Sequence, residues 1–477
     1  MESIGQILQS NANDAVAVED GCVDGTRHVT YAELLELARR AAGALRAHGV
    51  TPGDRVLLQT RTCVQGVVAW LGVIFAGATV VPVARGAAPA EVESFARATR
   101  ARLALGVRAK GVTTLALDPL RGEPFEEAPD EVAMILFTSG TTGSAKGAEI
   151  THASLVAHTR SLVENVLRLG RDDVVLGVLP VGHSYGIRMT VLAPLFAGAR
   201  VVLAEFDAAT SMRLAVEHGV TWLPGVPTMF HAWAETPGEP PPALRWALSA
   251  GASLADDVRT RAEARLGVSV REGYGLTEAT FCCIDAPPDP RKPGCVGRPV
   301  PGVDVRVAGG VDSDRGEILV RGANLMRGYL DDPDATASVM DAGWLRTGDL
   351  GRLDADGRLY VVDRLKDLIV RGGHNVVPAE VENVLMQHPS VAEAAVVGRT
   401  DARYGEEIVA VLVLRDPAQF EPTELDRFCR AQLARSKVPR EWVAIERMPL
   451  GPSRKVLRRE LRAQLESGTL VPVRFQD

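Results

Sequence analysis

Up to about Pro299 the sequence alternates short apolar runs with helix-length amphipathic stretches. Residues 29–48 carry apolar side chains at helical spacing behind Thr30, which reads as an N-cap with Glu33 three positions on. Residues 56–59, 79–83, 133–137, 174–179, 200–203 and 221–223 predict strands, most of them separated by a helix-length interval. Such alternation predicts parallel sheets wound by helices on both faces, and ligands in these folds collect at the carboxyl ends of the strands. One stretch competes with that picture. Residues 62–84 hold no charge and are about long enough to cross a bilayer. Gln65, Gly66, Gly72, Gly77 and Pro82 divide it instead into a buried helix, a turn and a short strand.

Beyond Pro299 the character changes. Residues 304–308, 316–320, 351–353 and 358–362 are short, alternating and turn-bounded, which predicts antiparallel pairs with Asp356-Gly357 as a hairpin turn. From Pro378 the pattern is a helix, strands over 393–397 and 408–414, a helix over 424–433 and a basic tail, the size of a separate small domain. There is no internal repeat, and residues 237–242 form a short proline-rich loop. The expected fold class is α/β: a large N-terminal domain of helix-wrapped sheets with a β-rich subdomain, then a small α+β C-terminal domain.

Composition narrows the function classes. A length of 477 residues corresponds to about three units of structure, and 46% apolar with 24% charged residues excludes disorder, collagen and coiled coil. The 53 Lys and Arg against 60 Asp and Glu leave a charge of -7, with no global attraction to nucleic acid or anionic membrane. A small-molecule enzyme is expected, with no nucleic-acid partner and no transmembrane segment. Only six of the cations are lysines, Lys110, Lys146, Lys292, Lys366, Lys437 and Lys455, which draws attention to each compact ammonium. The six cysteines show no CxxC spacing, and MESIGQILQS lacks the regions of a secretory signal. A reducing, cytoplasmic setting is expected.

The densest chemistry lies in ILFTSGTTGSAKG, residues 135–147. A buried strand runs into Thr138, Ser139, Gly140, Thr141, Thr142, Gly143 and Ser144, followed by Lys146 and Gly147. Glycines let the backbone turn with its amides pointing at one place, hydroxyls add donors and the lysine adds a point charge, a combination suited to a polyphosphate. It is not a Walker loop, because Ala145 precedes the lysine and Gly147 follows it.

This run resembles the phosphate-binding signature of the AMP-forming adenylating superfamily, which holds acyl-CoA synthetases, adenylation domains of peptide synthetases and firefly-type luciferases. Further motifs follow in that superfamily's order: Gly273-Tyr274-Gly275-Leu276-Thr277-Glu278, Leu345-Arg346-Thr347-Gly348-Asp349, Asp363-Arg364-Leu365-Lys366-Asp367, and Arg454-Lys455-Val456-Leu457. The match extends from Thr30-Tyr31 to Leu461. It implies an AMP-binding domain over 1–365 and a mobile cap over 366–477, hinged at Lys366.

Several roles are chemically apt as well as implied by the resemblance. Tyr274 offers a ring for a purine, Thr277 a donor for a phosphate, and Glu278 a carboxylate for Mg2+, which prefers one or two carboxylates plus phosphate oxygens. By itself this segment would pass for a strand-to-helix turn. Asp349, expected in a turn after Trp344, can accept from both ribose hydroxyls, with Arg364 nearby. The resemblance further implies that Ala250, Gly251 and Ala252 lie against adenine and acyl group, that His183 lines the acyl pocket with Val226, Pro227, Thr228 and Met229, and that the Gly372-Gly373-His374 loop lines a pantetheine tunnel. Lys437 is a weaker candidate for the thiol site.

Lys455 is implied to bridge the acyl carboxylate and the ATP α-phosphate, where an ammonium lowers the repulsion between two anions. On residues alone it belongs to a solvated cationic helix with Arg454, Arg458, Arg459 and Arg462. The superfamily usually has glycine where Arg454 stands, and many members have glycine where Asp363 stands. Amino-acid-activating domains carry an aspartate close to Ser184, so an acid without an α-amino group is expected here.

The implied reaction is ATP- and Mg2+-dependent conversion of a carboxylic acid to acyl-AMP, followed by thioester formation with coenzyme A. Loading of a carrier-protein phosphopantetheine thiol is the alternative. A phosphoryl transferase releasing ADP and a catalytically weak binding protein are rivals from other classes.

Overall fold

The long helix Tyr31–Ala47 begins where its capping chemistry requires. The Thr30 hydroxyl accepts from the Glu33 amide at 3.2 Å and the Glu33 carboxylate accepts from the Thr30 amide at 2.8 Å, so two orphan donors are satisfied ahead of helix Tyr31–Ala47. The charge-free stretch forms the buried helix Val64–Phe75, a turn with Gly77 at φ +77°, and the buried strand Thr79–Pro82. Gly72 is needed there because a Cβ would come within 2.5 Å of the Ala41 Cβ on the preceding long helix. Close approach of these helices, with the fully buried Trp70 contributing roughly 2–3 kcal/mol of apolar burial, explains why the segment belongs to a core. Among the described residues no helix is long and apolar enough to cross a membrane.

The computed structural model describes residues 4–11, 13, 15–21, 27–117, 122–125, 130–138, 145–310, 315–416, 420–450 and 456–474. They divide into two compact units, the larger comprising Met1–Arg306, Leu319–Thr347 and Ala355–Leu359, the smaller Val307–Ile318, Gly348–Asp354 and Tyr360–Asp477. The architecture is mixed α/β, as the alternation predicts. The described cysteines, Cys63, Cys282, Cys283, Cys295 and Cys429, are buried thiols.

Among the described residues two sheets lie wholly within the larger unit. One runs Gly328–Tyr329, Lys146–Thr151, Val132–Thr138, Thr79–Pro82, Arg55–Leu58, Leu103–Leu105 and Thr113–Leu115 across its width, antiparallel at the first pairings and parallel beyond them. In the other, Val174–Gly177, Trp222–Gly225, Trp246–Ala250 and Val270–Leu276 lie side by side and parallel. Their order brings four carboxyl ends to one edge. Thr280–Ile284 then pairs antiparallel with Val270–Leu276, so the Tyr274–Glu278 motif turns from strand to strand rather than from strand to helix. Every residue of Thr280–Ile284 is buried, and an all-buried β-prone run favours a sheet position over a surface helix.

Asp349 also departs from its expected setting. It lies within strand Trp344–Leu353, not in a turn after Trp344. Gly348 takes φ +70° there, a local kink that a strand tolerates at glycine. At the expected hairpin a turn at Ala355-Asp356 is followed by Gly357 at φ +73°.

The smaller unit is built on Gly405–Leu414, which pairs antiparallel with Val391–Asp401 and parallel with Glu441–Ala444. Helices Pro378–Leu385 and Pro422–Arg430 and the buried Trp442 complete one face of its core. The tail forms helix Arg458–Glu466, and Arg458 is not a solvated cation: its Nη2 donates to both Glu382 oxygens at 2.8 and 2.7 Å.

One buried base gives the fold a pH dependence. His152, 4% exposed, has its pKa lowered to about 4 by burial, against the opposing charge of Asp130. A base with a depressed folded pKa takes up its proton on unfolding, so its stabilisation is complete above about pH 6.5 and is lost as pH falls towards 4. Urea unfolding should show a loss of about 2 kcal/mol from this group at pH ~5 relative to neutral pH. His152→Leu should flatten that slope, and an unchanged slope would assign the effect elsewhere.

Candidate active site

Four neighbouring parallel strands deliver much of the expected site. His183 follows strand Val174–Gly177, Val226 and Pro227 follow Trp222–Gly225, Gly251 follows Trp246–Ala250, and Tyr274 and Gly275 end Val270–Leu276. Ala250 pairs with Gly273 and Gly225 with Ser249, so these segments leave the sheet edge in step. This is where helix-wrapped parallel sheets bind ligands.

Backbone geometry keeps the edge open. Gly251 adopts φ +91°, in the left-handed region that favours glycine. Gly275 sits at a register shift in the pairing, where a Cβ would lie 2.0 Å from the Thr280 carbonyl oxygen. His183 is exposed and caps the short helix Ser184–Ile187, its Nδ1 accepting from the Tyr185 amide at 3.3 Å. Tyr185 anchors that helix by donating to the Leu248 carbonyl at 2.8 Å. Burial raises the Tyr185 pKa, so its hydroxyl stays a donor.

The phosphate-loop candidates divide. Thr138 ends strand Val132–Thr138 and pairs with Lys146, the first residue of Lys146–Thr151. Ser139, Gly140, Thr141, Thr142, Gly143 and Ser144 lie outside the described residues. The pairing places Thr138 and Lys146, which flank them in the sequence, on adjacent antiparallel strands. Lys146 Nζ stands 5.2 Å from the centroid of the Tyr329 ring, within the range of a cation–π contact.

Tyr329 is the residue that sequence reasoning missed. Its hydroxyl donates to Glu278 Oε1 at 2.9 Å, while the Met326 amide donates to the Glu278 carbonyl at 2.7 Å. Segment 326–330 is itself held to strand Lys146–Thr151, by Arg327 N to Glu149 O and Leu330 N to Gly147 O, each at 2.8 Å. Glu278 and Lys146 thus both contact one tyrosine, the first at its hydroxyl and the second at its ring. Burial, and then the Glu278 charge, raise the Tyr329 pKa, so it remains a donor to the carboxylate. The only local signal was an aromatic residue closing Arg327-Gly328-Tyr329, with nothing to indicate its partner.

With Oε1 occupied by the phenol, Glu278 presents its second oxygen. A single half-buried carboxylate fits Mg2+, whose other ligands are waters and nucleotide phosphate oxygens. Tyr329→Phe keeps the ring beside Lys146 and removes only the hydroxyl. It should raise the Mg2+ concentration for half-maximal ATP binding by about 10-fold, the usual cost of losing a partner behind a metal ligand. Calorimetric titration of ATP with and without Mg2+ checks this, and metal-free binding should change little.

In the smaller unit Asp349 is 5% exposed and pairs with Arg364, Nε to Oδ1 at 3.3 Å. Asp363 orders the next segment by accepting from Ala379 N at 3.0 Å and Arg364 N at 2.8 Å; burial raises its pKa despite these bonds. Lys366 lies in the short turn Leu365–Asp367, and burial followed by the Arg364 charge lowers its pKa. Gly372 and Gly373, at φ +58° and +82°, turn the hairpin between Ile369–Arg371 and His374–Val376. Lys437 is engaged by both Glu380 oxygens at 2.7 and 2.8 Å, which weakens its claim on a thiol. Lys455 lies outside the described residues, but its flanks are tied: Leu450 bridges Val456, and Leu457 N donates to Pro449 O at 2.8 Å.

A family model described as AMP-binding enzyme matches residues 8–330, and one described as AMP-binding enzyme C-terminal domain matches residues 380–455. The chain is 41% identical over 343 residues to sulfoacetate–CoA ligase of Cupriavidus necator, covering 70% of this chain and 67% of that protein. It is 36% identical to feruloyl-CoA synthase of an Amycolatopsis species, covering 94% and 95%. O-succinylbenzoate coenzyme A synthetase of Bacillus subtilis, solved with ATP and a magnesium ion, superposes with a TM-score of 0.86 at 30% identity, covering 95% of this chain and 98% of that one. The protein belongs to the AMP-binding enzyme family.

Proposed function

We propose that the protein is an AMP-forming acid–thiol ligase that converts a carboxylic acid to acyl-AMP and then to its coenzyme A thioester. The observation that carries the reading is the contact of both Lys146 and Glu278 with Tyr329, beside the edge where four parallel strands deliver His183, Val226, Gly251 and Tyr274. Relatives named for CoA ligation support coenzyme A as the acceptor.

In the first step a carboxylate oxygen attacks the α-phosphorus in line and pyrophosphate leaves. Thr138 to Gly143 and Lys146 receive the phosphates, Tyr274 and Gly251 receive the adenine, and Asp349 with Arg364 receives the ribose. Thr277 donates to the α-phosphate. Glu278 would hold Mg2+, which supplies charge neutralisation at the phosphates. Lys455 reduces repulsion between the two anions as they approach.

The second step requires the ammonium to withdraw so that a thiol can reach the acyl carbonyl and displace AMP. Rotation of the C-terminal cap about Lys366 provides for both, and the Gly372-Gly373 turn is the segment assigned to the pantetheine arm. His183 lines the acyl side. Ser184, buried and uncharged at the helix start, offers no anion for an α-ammonium, so the acid lacks an α-amino group.

The test is a screen of carboxylic acids for pyrophosphate release, repeated with coenzyme A and with a phosphopantetheinylated carrier protein. AMP and pyrophosphate in equal amounts, with thioester formed on coenzyme A, are expected. ADP as product would sink the reading, and thioester on the carrier alone would move the acceptor.

A further inference from the structure

Among the described residues the larger unit buries one cation, Arg188, with no carboxylate paired to it. Arg188, 1% exposed, follows helix Ser184–Ile187 and opens the π-helical turn Arg188–Leu192. Its Nη1 donates to the Leu155 carbonyl at 3.4 Å and to the Thr159 hydroxyl, while Nε and Nη2 have no partner in the structure. Among the described residues no carboxylate pairs with it. Burial alone lowers its pKa, to about 9, with no acid to offset the shift. Fully buried arginines are rare unless paired, because desolvating the charge costs several kcal/mol.

Its neighbour adds no negative charge. His158, also buried, donates from Nε2 to the Phe281 carbonyl at 2.8 Å, which leaves Nδ1 to accept from the Thr280 hydroxyl at 3.2 Å. That pattern is the neutral tautomer, and burial followed by the Arg188 charge keeps it so by lowering its pKa. A chain bearing only apolar groups would be served better by methionine or leucine at position 188.

Arg188 N bonds Ser184 O, so the side chain stems from one turn, about 6 Å, beyond the residue that follows His183 on the open edge. On the other side His158 touches Thr280 and Phe281, which begin two residues past Glu278, and the Tyr185 ring stands edge-on to Phe281 at 5.3 Å. The guanidinium therefore lies next to both segments that the acid-activating reading gives to the acyl side, the helix capped by His183 and the strand that follows Glu278.

We infer that Arg188 is the counter-ion for a second anionic group on the acid, so that the preferred substrate is a short acid ending in another oxyanion such as a carboxylate or sulfonate. This rests on the acid-activating reading above. Nε and Nη2 supply the parallel N–H pair that a planar carboxylate takes up bidentately.

The test compares α,ω-dicarboxylates with methyl-ended monocarboxylates of equal carbon count, scored by kcat/KM for pyrophosphate release. The best diacid should exceed its partner by at least about 100-fold, because a site built for a polar group rejects the analogue lacking it. Arg188→Met should bring that ratio near one, and Arg188→Lys should restore part of it. If the variants do not fold, the wild-type ratio decides alone. Monoacids turned over as well as diacids would overturn the anion site while leaving acid activation standing. Pyrophosphate release with neither class while another acid of the screen is turned over would overturn the anion site alone, and release with no acid of the screen would overturn both.

Discussion

Lys455→Ala is expected to cut acid-dependent pyrophosphate release by about 100- to 1,000-fold, while thioester formation from supplied acyl-AMP and coenzyme A stays within a few-fold of wild type. The asymmetry follows from electrostatics. Attack on the α-phosphorus brings a carboxylate against a polyphosphate, and a compact ammonium between them is worth most when the two are closest. Thioester formation involves no such encounter. The described neighbours of Lys455 are held in place: Leu450 bridges Val456, Leu457 N donates to Pro449 O, and Arg458 is locked onto Glu382 just beyond. Arg454 brings a second cation beside Lys455 where the superfamily usually has glycine. Arg454→Gly should therefore change adenylation far less than Lys455→Ala. Rapid-quench measurement of each half-reaction separates the outcomes, and equal losses in both steps would remove the basis for assigning Lys455 to adenylation alone.

Local patterns made much of the fold legible. The helix Tyr31–Ala47 was readable because its cap and apolar period lie in one short stretch, and strand Arg200–Leu203 because its run is bounded on both sides. The uncharged stretch was readable because its glycines and proline interrupt it at the points where the chain turns. Errors arose where a partner outside the motif decides the geometry. Thr277 and Glu278 sit in a strand-to-strand turn because Thr280–Ile284 is entirely buried against Val270–Leu276. Asp349 lies in a strand because one glycine absorbs the kink. Tyr329 escaped notice because its partner Glu278 is 51 positions away, and Arg188 because a sequence records a charge but not the absence of its counter-ion.

Glu278→Gln carries the other large expected effect. The amide has nearly the shape of the carboxylate and its oxygen can still accept from the Tyr329 hydroxyl, so the Met326–Tyr329 segment should keep its place. What is lost is the negative charge offered to Mg2+. Adenylation kcat/KM should fall by about 100-fold or more, equivalent to ~3 kcal/mol, and the Mg2+ concentration for half-maximal ATP binding should rise further than in Tyr329→Phe. The pair can be examined as a cycle. If Tyr329 acts by orienting Glu278, removing its hydroxyl from the Glu278→Gln protein should cost much less than removing it from the wild type, since residues in one network do not contribute additively. Full additivity in Mg2+-dependent ATP binding would instead mean that Tyr329 serves the nucleotide independently of Glu278, and its contact with Lys146 would then be the place to look.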